Sequence, residues 1–77
     1  MEKALDNILK HFPEYRKKIV ELFNINEDFK LLCEDYWQCE NAISKFREHL
    51  IEDAQAEKEY LQVRSDLDQD VLRFLST

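Results

Sequence analysis

Residues 29–50 read FKLLCEDYWQCENAISKFREHL, and within them Phe29, Leu32, Tyr36, Cys39, Ile43, Phe46 and Leu50 recur at alternating steps of three and four. That spacing lays one apolar seam along the side of a long helix. The opposite side carries Lys30, Glu34, Asp35, Gln38, Asn41, Lys45 and Glu48 and suits water. Asn26 stands where an N-cap is needed, and Glu27 and Asp28 follow it at the positive end of the helix dipole. Asn24 with Glu27 is an alternative capping box. The pattern needs no break until about residue 51, which predicts a helix over about 27–51.

Beyond residue 51 the seam lapses, because the positions due on it are Asp53 and Glu57. A last helix, over about 55–75, then presents Tyr60, Val63, Leu67, Val71 and Phe74, with Leu61, Leu72 and Leu75 beside them, and Asp53 suits its N-cap. Two arrangements fit. In the favoured one the two helices fold back on each other as an antiparallel hairpin, because a turn puts the charged pair into water. In the other, the heptad register carried through the lapse returns Tyr60, Leu67, Val71 and Phe74 to the seam, giving one continuous coiled-coil helix.

Working back from the seam, Leu5, Ile8, Leu9 and Phe12 fall at helical spacing, so a short helix is expected over about 3–11. Pro13 then ends it and starts another over about 13–23, with Tyr15, Ile19, Leu22 and Phe23 on one side. The fold class expected is therefore all-α, two short N-terminal helices followed by a long helical hairpin, with residues 1–77 as a single helical domain. The chain holds no Gly and one Pro, which leaves tight hairpin turns almost no vocabulary and excludes an all-β fold.

With 77 residues, 44% of them hydrophobic and 36% charged, the chain is too apolar for disorder and too short to bury a large core. No apolar run reaches the length of a membrane span, roughly 20 residues, and the opening Met1-Glu2-Lys3-Ala4-Leu5-Asp6 has no signal-peptide core. Cys33 and Cys39 lie six positions apart on one predicted helix, about 9 Å along its axis, too far to bridge each other. Reduced thiols point to a cytoplasmic protein. Net charge is −6 and unevenly placed: residues 1–23 carry five bases against four acids, and the remainder six against thirteen. Such an acidic body disfavours direct nucleic-acid binding, whose affinity comes from neutralised phosphates.

Phe12-Pro13-Glu14-Tyr15-Arg16, with Ile19, Leu22, Asn26, Phe29, Leu32, Glu34, Ile43 and the C-terminal Leu67, Val71, Leu72 and Leu75, resembles the YdcH-like family of small bacterial helical proteins. The resemblance spans about residues 12–75 and is most specific in its Phe-Pro-Glu-Tyr-Arg opening. It implies a helical hairpin preceded by a short helix, and no activity, since the family is itself of unknown function. The chain departs from the family pattern in lacking a Pro- or Gly-containing turn near residues 51–55 and in its extra segment before Phe12.

Nothing on this frame spells a chemistry. His11 and His49 stand in no zinc motif, and His49 with Glu52 fills half a coordination sphere at most. The cysteines read as buried apolar residues rather than reactive thiols. Glu34-Asp35 and Glu52-Asp53 lie on predicted outer faces, without the cleft that acid–base work needs. No catalytic, cofactor-binding or metal-binding residue is therefore assigned, and no cofactor is expected. Trp37 stands one position past Tyr36 and widens the apolar face beyond what one facing helix covers. Either the N-terminal helices fold over it, or it sits between subunits. The candidate interface residues are Tyr36, Trp37, Ile43, Phe46, Leu50, Phe12 and Phe23. The expectation is a non-enzymatic protein–protein interaction module that self-associates through its seam. An acidic adaptor for a basic protein or nucleoprotein is the alternative, and a metal-binding protein built on an oligomer is a remote one.

Overall fold

The computed structural model describes residues 2–76. These form α1 (Lys3–His11), a 3-10 turn (Pro13–Tyr15), α2 (Arg16–Ile25), α3 (Glu27–Arg47) and α4 (Ala54–Leu75), so the described chain is all-helical. Its extents are 38 × 25 × 21 Å.

Local chemistry explains where most helices begin. Pro13 lacks an N–H and opens the 3-10 turn, while the Phe12 N–H closes α1 on the Ile8 carbonyl at 3.0 Å. Asn26 Oδ1 accepts from the Phe29 N–H at 3.0 Å, so Asn26 caps α3, and the alternative box at Asn24 is not used. Asp53 Oδ1 accepts from the Ala56 N–H at 3.1 Å and caps α4 in the same way.

The far end of α3 corrects the sequence expectation. The helix stops at Arg47 rather than near residue 51, and residues 48–53 are non-helical, so one continuous helix does not form. His49 takes a left-handed φ of 59°, its N–H donates to the Phe46 carbonyl at 3.1 Å, and the Leu50 N–H donates to the Lys45 carbonyl at 2.9 Å. This is a Schellman ending, in which the left-handed position usually belongs to glycine. The chain has no glycine and spends a histidine there. As a result Leu50, expected on the seam, is 70% exposed.

α3 is the central element. Partner positions on α4 fall as those on α3 rise: the Phe29 and Phe74 rings meet at 5.3 Å, Tyr36 meets Asp68, Glu40 meets Arg64, and the Phe46 and Tyr60 rings meet at 5.8 Å. The two helices therefore run in opposite directions. Both α1 and α2 pack on α3, and their Ala4, Ile8, Ile19 and Phe23 join Phe29, Cys33, Tyr36, Val71 and Leu75 in one buried cluster. Cys33 is fully buried and Leu32 only half-buried, the reverse of their order along the predicted seam. The N-terminal helices cause that reversal by giving α3 a second side to bury.

Candidate functional site

The residues singled out from the sequence divide sharply by location. Ile43 and Phe46 are buried between α3 and α4, and Phe23 is buried beneath Lys30, whose Nζ lies 5.7 Å from its ring centre. Tyr36 is buried and flanked by Phe12, ring centres 6.4 Å apart, and by His11 at 5.3 Å. Trp37 is half-buried and packs against the cluster that the N-terminal helices share, next to Lys3 and Ala4 of α1. Of the candidate interface residues, Leu50 is the one that stands exposed.

A polar junction that the sequence reading missed crosses α1, α3 and α4. The Tyr36 hydroxyl donates to Asp68 Oδ1. Four residues along α3, Glu40 Oε1 accepts from Arg64 Nη1 at 3.2 Å, and Glu40 Oε2 lies 3.6 Å from His11 Nε2. The Tyr36 phenol is pushed well above its ordinary value, first by burial and then by its bond to the Asp68 carboxylate. Burial pushes the Cys33 thiol up to about 12, with Glu34 adding to the effect. Cys39 is also raised, chiefly by burial and then by Glu40, and its thiol donates to the Tyr60 carbonyl at 3.4 Å. These thiols are held protonated, which makes them poor nucleophiles. One signal for the junction was legible: a tyrosine on an apolar seam needs a partner for its hydroxyl. Naming Asp68 required the position of the turn.

The second feature is an open groove of about 440 Å³ between α3 and α4, lined by Asp35, Gln38, Cys39, Ala42, Tyr60, Val63 and Leu67. No residue of α1 or α2 lines it. Tyr60 and Val63 are 41% and 46% exposed although both were expected on the inner stripe of α4. Their stripe has α3 on one side and, among the described residues, no helix lining the other.

Among the described residues no group of three or more His, Cys, Asp or Glu side chains is placed to hold a metal ion, and no helix is long and apolar enough to cross a membrane. Compared with protein-family models, with curated proteins and with solved structures, the chain matches none, so its resemblance to the YdcH-like family rests on the residues quoted above alone.

Proposed function

We propose that this chain is a non-enzymatic interaction module: a helical hairpin of α3 and α4, covered on one side by α1 and α2 and available for protein contact on the rest. The observation that carries this reading is the exposure of apolar side chains on the hairpin, among them Leu50 and Ile51 at the turn and Tyr60 and Val63 on α4. Apolar side chains left in water at the turn and along the groove are the material from which contact sites are built. The seam from Phe29 to Phe46 is filled within one chain, so self-association uses Leu50 and Ile51 rather than the seam. Two free thiols fit a cytoplasmic location.

Sedimentation velocity between about 1 and 100 μM tests the self-association reading, a range in which association free energies of about 5–8 kcal/mol populate dimers. A concentration-dependent shift that Leu50→Lys with Ile51→Lys abolishes is the expected result. A sharp monomer boundary throughout removes self-association. The second reading, an acidic adaptor, is favoured by the exposed carboxylates Asp35, Glu59 and Asp66 on α3 and α4.

A further inference from the structure

The groove between α3 and α4 has a chemistry as well as a shape. Its floor is Cys39 and Ala42, two small side chains, and Tyr60, Val63 and Leu67 form its α4 wall. Small residues at a helix contact allow the axes of packed helices to approach to the short end of the usual 8–10 Å range. A third helix lying along the first two is the body that fits such a trough.

The rim is acidic. On α4, Glu59, Asp66 and Asp70 stand four before, three after and seven after Val63, which puts them on the same flank. On α3, Asp35 lines the groove itself, and exposed Lys45, three residues past Ala42, adds one base toward the turn. Asp70 is paired with exposed Arg73 at 3.0 Å, but among the described residues no cation pairs with Asp35, Glu59 or Asp66. A second copy does not answer this surface. Two grooves face to face would oppose acidic rim to acidic rim, which costs affinity. Nor do the described residues of α2 answer it: one turn on from the exposed Arg16 and Lys17, the one exposed aliphatic side chain is Val20, at 36% exposure.

We propose that the α3–α4 groove binds an amphipathic helix of another protein, one whose apolar stripe is flanked by lysine and arginine. Leucine-sized side chains of that helix seat between Ala42 and Val63, and its bases meet Asp35, Glu59 and Asp66. The inference rests on the interaction-module reading and names its partner class.

The test is an NMR titration of the ¹⁵N-labelled full chain with a synthetic helical peptide carrying leucines at i, i+3, i+4 and i+7 and lysines beside them. A second peptide has the same leucines and glutamates in place of the lysines. The basic peptide is expected to shift the amides of Gln38, Ala42, Val63 and Leu67 and to bind about tenfold tighter than the acidic one at 50 mM salt. That margin narrows at 500 mM, where the Debye length is severalfold shorter. The exposed double substitution Glu59→Lys, Asp66→Lys should weaken the basic peptide about tenfold while leaving helix content unchanged. Equal binding of the two peptides, shifts confined to other faces, or no binding up to 1 mM peptide each overturns the proposal. If peptide binding fails while sedimentation still shows self-association through Leu50 and Ile51, the module stands and this partner class falls. If both fail, the module reading falls with it.

Discussion

His49 is the residue whose backbone is most at odds with its identity. A left-handed φ of 59° costs a residue with a Cβ about 1 kcal/mol relative to glycine, and the histidine is exposed, so its side chain recovers little by packing. His49→Gly should therefore raise stability by about 1 kcal/mol, or several degrees in Tm for a chain of this size. Thermal unfolding followed by circular dichroism checks it, and an unchanged or lower Tm would contradict the assignment of the turn. Cys33 and Tyr36 make a different prediction. In the folded chain both hold protons above their ordinary values of 9.0 and 10.0, so in alkali the unfolded chain binds fewer protons and stability falls as pH rises. Their contribution is complete below about pH 9 and is lost progressively above it. The urea midpoint should drop between pH 7.5 and 10.5, and Cys33→Ala should drop less over the same interval, whatever its stability at neutral pH. Tyr36→Phe removes the hydroxyl that Asp68 accepts from and should cost about 1–2 kcal/mol at pH 7 by urea titration.

At the scale of elements, each long helix begins at a side-chain cap and is held by one mixed contact line. Asn26→Ala deletes the acceptor for the Phe29 N–H and should cost about 1 kcal/mol without changing the native fold, read from the urea midpoint. Replacing Phe46 by Asp is a harsher test. Phe46 is 7% exposed and stacks against Tyr60, so the substitution buries an unpaired carboxylate at about 3 kcal/mol or more. Loss of cooperative unfolding at 25 °C is the expected outcome, and an intact native transition would show that the lower contact between α3 and α4 is dispensable. The Tyr36–Asp68 and Glu40–Arg64 pairs add something that apolar packing does not. Apolar contacts tolerate sliding of one helix past another, whereas these polar partners are satisfied in a single register.

Across the whole molecule, stability is concentrated at one end. The buried cluster gathers α1 and α2, the first part of α3 and the last part of α4. By contrast, residues 54–66 at the start of α4 include no buried side chain. Native-state hydrogen exchange should follow that asymmetry: amides of residues 56–64 are expected to exchange at least about tenfold faster than those of residues 33–39 and 70–74, because local opening there breaks few buried contacts. Uniform protection along α4 would contradict it. The same asymmetry explains why the open groove and the exposed turn residues lie where they do. The N-terminal helices are too short to cover the full length of α3, and they lie on one side of it.

Much of this was decided along the chain itself. The helical class, the restart at Pro13, the caps at Asn26 and Asp53 and the burial of Phe29, Tyr36, Ile43 and Phe46 follow from spacing and from side chains that act within a few residues of themselves. The tertiary structure decided what depends on partners far away in sequence. It ended α3 at Arg47, with a left-handed position at His49 for which no glycine gave notice. It paired Tyr36 with Asp68, which no spacing rule reaches across an unlocated turn. It also placed α1 and α2 on one side of the α3–α4 pair, burying Cys33 and leaving Tyr60 and Val63 in the open groove. A helix pattern records which residues share a face, but which face meets protein and which meets water is set by the elements that pack against it.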